Sequence, residues 1–247
     1  MLAKVESACL IGMEGARVQV EVSLAKGLPC FSIVGLPDAS VREAKDRVVA
    51  AIRNSGCEFP SRRVTVNLAP AELKKEGPMF DLAIAVGILL ASEVVVPPQW
   101  PRCIWLGELA LDGSIRSVRG ALPLARSLCQ QGSHDLVLPK TNLSEVSFLE
   151  KLRPLPFSCL KEVIQWLRGE CSPEIAPTAR AWMPVPWSGT DFSEIKGQAV
   201  AKRALEIAAA GQHNILFMGC PGSGKSMLAQ ALPGILPDWP LEEGDFS

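Results

Sequence analysis

The stretch NILFMGCPGSGKSMLAQALPGILP, residues 214–237, decides how the carboxyl-terminal part of this sequence folds. Its centre, GCPGSGKS at 219–226, matches the phosphate-binding pattern G-x-x-x-x-G-K-[ST]. Ile215 to Met218 before it form a short apolar run of strand character. Met227, Leu228 and Ala229 after it enter a helix that Pro233 and Pro237 bring to an end. Strand, glycine-rich loop and helix in that order are the setting the pattern requires. Gly222 and Gly224 permit backbone angles closed to other residues, so the loop can turn its N–H groups toward phosphate oxygens. Lys225 is then expected to reach the β and γ phosphates, and Ser226 to offer its hydroxyl to Mg²⁺. The start of the helix adds about half a positive charge. The expected ligands are therefore ATP and Mg²⁺, held by Gly219, Cys220, Pro221, Gly222, Ser223, Gly224, Lys225, Ser226 and Met227. A plain glycine-rich turn would explain the glycines but not the lysine and serine together.

Working back along the chain, DFSEIKGQAVAKRALEIAAAG from Asp191 places Val200, Ala204, Ile207 and Ala208 on one helical face. Between Gly169 and Gly189 the composition changes. Pro173, Pro177, Pro184 and Pro186 crowd a stretch without helical or strand period, which reads as a linker. The organisation expected is a domain at 1–170, a proline-rich linker at 171–190 and a second region at 191–247.

The first region reads as α/β. Val18, Val20, Val22 and Leu24 alternate with Arg17, Gln19, Glu21 and Ser23, as in a half-buried strand, and Val64, Val66 and Leu68 alternate in the same way. Between them Val41, Ala44, Val48, Ala51 and Ile52 recur at helical spacing behind Asp38 and Ser40, either of which can cap the helix. The outer face, Arg42, Glu43, Lys45, Asp46 and Arg47, alternates in sign and reads as solvated. Leu82 to Leu90 is apolar all round but too short to span a bilayer, so a core helix is expected. Further along, Ile104–Leu111 reads as a strand, Ala121–Gln131 as a helix, 136–138 as a strand and Leu160–Arg168 as a helix.

Composition narrows the classes. With 25 Lys+Arg against 26 Asp+Glu, no global charge draws the chain to nucleic acid. The eight cysteines form no C-x-x-C pair and sit mostly in apolar segments, as reduced thiols of a cytoplasmic protein do. No apolar run approaches the ~18 residues of a membrane span, so no membrane partner is expected.

Two long stretches carry a resemblance. GLPCFSIVGLPDASVREAKDRVVAAIRNSGCEFPSRRVTVNLAPAELKKEG and EIKGQAVAKRALEIAAAGQHNILFMGCPGSGKSMLA resemble the ComM/YifB family of magnesium-chelatase-like AAA+ ATPases, and the likeness runs over essentially the whole chain. It implies an α/β amino-terminal domain like that of Lon proteases, the ribosomal S5 domain 2-like fold, followed by an incomplete P-loop AAA+ domain. It further implies a homo-hexameric ATP-driven motor acting on DNA, promoting branch migration during recombination in competent bacteria. Phe192, Ile195 and Gly197 fall where AAA+ proteins line the adenine pocket. Cys220 departs from the proline common in the family.

The Lon likeness raises proteolysis. That chemistry needs a serine in a loop after Gly-Pro and a lysine base on a later helix. In KKEGPMFDLAIAVG, Met79 stands at the serine position, no serine occurs from Arg62 to Ala91, and no lysine from Glu76 to Pro139. A protease dyad is therefore not expected, and the first domain reads as a binding or assembly module.

Hydrolysis by P-loop enzymes also uses an acidic residue on another strand, a sensor and an arginine finger. None lies after the P-loop helix, so the sequence reads as the front part of an ATPase. Ile104-Trp105-Leu106-Gly107-Glu108 imitates an acidic strand end but precedes the loop, and reads as a core strand. Three functional classes stay open: part of a DNA-acting AAA+ motor, an interaction module with a vestigial P-loop, or a magnesium chelatase-type subunit.

Overall fold

The computed structural model describes residues 1–96, 103–132, 135–147, 149, 151–173 and 189–237. The chain divides into two compact units, Met1–Ala181 and Trp182–Ser247. Most of the proline-rich stretch, including Pro177, Pro184 and Pro186, lies outside the described residues.

In the first unit β1 (Leu2–Ile11) and β2 (Glu14–Ala25) form a long antiparallel hairpin, paired from Leu2 with Ser23 to Ile11 with Glu14. The alternation seen in the sequence sets its faces: Val18, Val20, Val22 and Leu24 are buried, while Arg17 and Ser23 are exposed. β4 (Arg63–Ala69) pairs antiparallel with β2 and buries Val64, Val66 and Leu68 on the same face. β3 (Cys30–Val34), not distinguished in the sequence, pairs parallel with β4 at one edge of the sheet.

Between β3 and β4 the chain forms α1 (Ala39–Asn54), whose first turn is capped by the Asp38 carboxylate accepting from the Val41 N–H at 2.8 Å. Its buried residues, Val41, Ala44, Val48, Ala51 and Ile52, are those the spacing singled out. α2 (Asp81–Ala91) is buried at every position, as an all-round apolar helix must be.

Past α2 come β5 (Ile104–Trp105), β6 (Glu108–Leu109) and β7 (Ile115–Arg116). They are followed by α3 (Ala121–Gln130), β8 (Asp135–Pro139), α4 (Leu143–Val146), β9 (Arg153–Phe157) and α5 (Leu160–Leu167). The seven-stranded sheet has the order β3-β4-β2-β1-β5-β8-β9. Pairing is parallel at β3/β4, β1/β5, β5/β8 and β8/β9, so the sheet is mostly parallel and the unit is α/β.

The single strand expected over Ile104–Leu111 is instead two short ones. Its backbone leaves the sheet at Gly107, whose N–H donates to Met79 O and whose carbonyl accepts from Leu82 N–H, both at 3.0 Å. This detour lets β6 pair with β7 in a separate small hairpin and seats the loop against the start of α2.

Two clusters cover the sheet. One packs residues of α1, α2 and α5 on one face and includes Val20, Val66, Ile84, Ile88 and Leu160. The other packs α3 and α4 beneath Ala8, Ile104 and Leu136 on the opposite face. That second cover reaches the start of β2, where Gln131 Nε2 donates to Gly15 O at 2.7 Å, while further along Glu21 of β2 and Asn67 of β4 are half-buried and pair locally: Lys4 of β1 with Glu21 at 2.9 Å, Asn67 with Glu21 at 3.0 Å.

Candidate nucleotide-binding site

The second unit is small. α6 (Ala199–Gly211) and α7 (Lys225–Ala231), continued by a 3-10 turn at Leu232–Ile235, enclose a cluster of Ile195, Leu205, Leu228 and Ala231. The expected apolar face of α6 needs correction. Val200 and Ile207 are 87% and 53% exposed, while Leu205 and Ala208 are buried and Ala201 is half-buried. Ala201, Leu205 and Ala208 have the same helical spacing, and α7 with its following turn packs against Leu205, which periodicity alone could not choose.

Ile215–Met218 also departs from expectation, since it is not a paired strand. The alternation of a strand is present, with Ile215 and Phe217 against the cluster and Leu216 and Met218 exposed. A ladder needs a neighbour, and among the described residues of this unit there is no other strand.

The glycine-rich loop is ordered around Lys225. The lysine Nζ donates to Gly219 O at 2.8 Å, to Cys220 O at 2.7 Å and to Ser223 Oγ at 3.1 Å, so the amine lies within the ring of residues 219–225. Gly222 and Gly224 have φ of +83° and +84°, a region that favours glycine, and Gly224 is the residue from which α7 starts. The ring closes with Ser223 N–H donating to Cys220 O. Among the described residues no backbone hydrogen bond engages the N–H of Gly222 or Gly224, and those of Lys225 and Ser226, at the first positions of a helix, have no intrahelical acceptor. Ser226 and Met227 are exposed, as are Cys220 and Pro221.

The three residues expected around the adenine are distributed differently. Ile195 is buried in the cluster beside α7 and Phe192 packs half-buried against it, whereas Gly197, at φ +69°, lies exposed in the turn leading to α6. Two contacts went unnoticed in the sequence. Gln198 Nε2 donates to Ser223 O at 3.3 Å and so ties this turn to the loop, and the Lys202 amine lies 5.4 Å from the centre of the Phe192 ring. Asp191 caps the segment, accepting from Ser193 N–H at 2.6 Å and from its hydroxyl, which holds the carboxyl below its usual range.

In the first unit Met79 is half-buried against both clusters. Lys75, four residues before it, is fully buried and donates its amine to Pro70 O, and that burial lowers its pKa. Glu108, whose position imitates an acidic strand end, instead pairs with Arg116 at 3.4 Å across the β6–β7 hairpin. Among the described residues no helix is long and apolar enough to cross a membrane.

Glycines at 219, 222 and 224 around a lysine that begins a helix keep the spacing of the phosphate-binding pattern. Comparison with known proteins makes this more specific. The family described as subunit ChlI of Mg-chelatase matches residues 20–142, and the one described as magnesium chelatase, subunit ChlI, matches residues 191–244. The competence protein ComM of Haemophilus influenzae is 43% identical over 240 residues, covering 96% of this chain and 47% of that protein. The uncharacterized protein YifB of Salmonella typhimurium is 41% identical over 242 residues, with 98% and 47% covered. An uncharacterized protein of Mycobacterium tuberculosis is 39% identical over 236 residues, with 96% and 46% covered. The chain belongs to the ComM/YifB family of magnesium-chelatase-like proteins. It spans about half the length of the curated relatives it matches.

Proposed function

We propose that the loop at 219–226 binds MgATP and that the chain forms part of an ATP-driven AAA+ motor acting on DNA in competence and recombination. The observation that carries the reading is the Lys225 amine held by three oxygens of its own loop. Those acceptors keep a cation centred where anionic oxygens would gather, and phosphate oxygens exchange for them readily because they carry full charge. The residues fit the group. Gly222, Gly224, Lys225 and Ser226 supply backbone N–H groups, Lys225 the counter-charge, and the exposed Ser226 hydroxyl a ligand for Mg²⁺. Bound MgATP would supply the energy of phosphoryl transfer. Phe192 and Ile195 are assigned to its base, and Gln198 is assigned to hold their turn against the loop.

The larger unit, in this reading, is the Lon-like domain over 1–170. It acts as an assembly or binding module, joined by the linker at 171–190 to the opening of the AAA+ domain at 191–247. Competence, named for the Haemophilus relative, hexamer formation, DNA as partner and a cytoplasmic location are carried over as part of the proposal.

Calorimetric titration of MgATP into the chain tests it, with Lys225→Ala as control. Saturable binding that the substitution abolishes is expected. Binding unchanged by Lys225→Ala, or no heat from either protein, would refute the assignment of the loop.

A further inference from the structure

Beside the glycine-rich loop a second lysine, Lys202, faces an aromatic ring. Its amine lies 5.4 Å from the centre of the Phe192 ring, within the ~6 Å over which a cation is drawn to an aromatic face. Both residues are half-buried. The acids around them are engaged elsewhere. Glu206, one turn further along α6, pairs with Arg203 at 2.9 Å, and the Asp191 carboxylate accepts from Ser193 N–H at 2.6 Å and from the Ser193 hydroxyl. Among the described residues Lys202 makes no ion pair.

The position is unfavourable for the helix itself. Lys202 is the fourth residue of α6, whose first turn carries no acid, and a cation there opposes the positive end of the helix dipole. What the lysine stabilises therefore lies outside the helix. Residues four apart on a helix are neighbours on its surface, and Lys202 stands four after Gln198, whose carbonyl accepts from Lys202 N–H at 2.9 Å. The Gln198 side chain reaches Ser223 O at 3.3 Å, and the Lys202 side chain reaches Phe192. The start of α6 thus holds the loop with one arm and the ring with the other. Phe192 itself sits in a short 3-10 turn, Phe192–Glu194, and the cluster of Ile195, Leu205 and Leu228 covers it only in part.

We propose that Lys202 is a positioning residue for the base of a bound nucleotide: its amine fixes the Phe192 ring against which the base packs. The proposal rests on the reading that MgATP occupies the loop with Phe192 beside its base. It goes further in giving two lysines separate duties. Lys225 serves the phosphates, and Lys202 serves the base through the ring, without touching the nucleotide. Its effect depends on its charge and on the presence of the ring, and is independent of the phosphates.

Calorimetry on the full chain compares two probes, MgATP and magnesium tripolyphosphate, which carries phosphates without a base. K202M keeps an unbranched stem and removes the charge, whereas K202R keeps the charge. A cation–aromatic contact at an exposed site corresponds to about two- to fivefold in affinity, so K202M is expected to weaken MgATP by that factor and K202R to restore it. Tripolyphosphate is expected to bind all three proteins alike. With Phe192→Leu in place, K202M is expected to have no further effect on MgATP. An MgATP affinity unchanged by K202M overturns the proposal and leaves the assignment of the loop standing. So does an equal loss of tripolyphosphate affinity, which would make Lys202 a phosphate contact, or a K202M effect that persists in full beside Phe192→Leu. Absence of saturable MgATP binding by the unmodified chain overturns the proposal together with the reading it rests on.

Discussion

The Asp81 carboxylate is fully buried and accepts two hydrogen bonds from Arg47, Nε to Oδ2 at 2.7 Å and Nη2 to Oδ1 at 3.1 Å. Arg47 also donates to Ser40 O, and Asp81 Oδ2 accepts from Leu109 N–H at 3.2 Å, so one charged pair joins α1, α2 and β6. Arg47→Ala leaves an acid in an apolar site without its counter-charge, and is expected to cost about 3–5 kcal/mol. Urea unfolding measures this; a loss below about 1 kcal/mol would mean that Asp81 finds another partner or water.

The same carboxyl gives the fold a pH dependence. Burial pushes the Asp81 pKa up from 3.8 to about 6, and the opposing pull of Arg47 and Leu109 N–H does not offset it. The folded state therefore holds this proton more tightly than the unfolded chain. Its contribution is fully present below the unfolded value of 3.8 and is lost as pH rises through about 6. At about 1.4 kcal/mol for each tenfold change in proton affinity, the effect is of order 3 kcal/mol. Asp81→Asn cannot titrate, so the stability of the unmodified protein relative to the variant should increase between pH 7 and pH 4. A constant difference across that range would contradict the assignment.

Gly87 faces β2 closely enough that a Cβ placed on it would lie 2.6 Å from Val22 Cγ2. In an open helix Gly→Ala gains up to about 1 kcal/mol, but the stiff valine cannot withdraw. Overpacking wins, and Gly87→Ala is expected to destabilise the first unit by about 1–3 kcal/mol in chemical denaturation. A stabilised variant would show that α2 slides on the sheet.

At Gly224 there is room for a methyl group, with nothing within 4 Å, yet φ is +84°. Gly224→Ala should therefore act through backbone strain of about 1–3 kcal/mol confined to the loop. MgATP affinity is expected to fall while the unfolding of the first unit stays unchanged; full affinity in the variant would show that α7 can begin elsewhere.

Much of this was legible in residues. Alternation at Val18–Leu24 and Val64–Leu68 marked central strands because one face of each is covered and the other is not. The spacing from Val41 to Ile52 marked a helix for the same reason. What escaped has physical causes. β3 is an edge strand with half-buried residues on both faces, so it shows no period, and β9 hides behind two prolines that read as loop. The break at Gly107 follows from hydrogen bonds to Met79 and Leu82, partners remote in sequence. At the candidate site the glycines and Lys225 were evident from spacing, whereas the link from Gln198 to Ser223 crosses 25 residues and has no local signal.

The place of β1 in the sheet governs how the chain can be made. Its Ser7 hydroxyl donates to Trp105 O at 2.8 Å, across 98 residues, and Glu6 aligns with Ile104. A ribosome delivers that interval in roughly 5–20 s at 5–20 residues per second. For that time the emerging hairpin of β1 and β2 has an open flank toward the position β5 will fill, exposed to chaperones and to neighbouring nascent chains. The hairpin of β1 and β2 can thus form well before the strand that closes its open flank has been made.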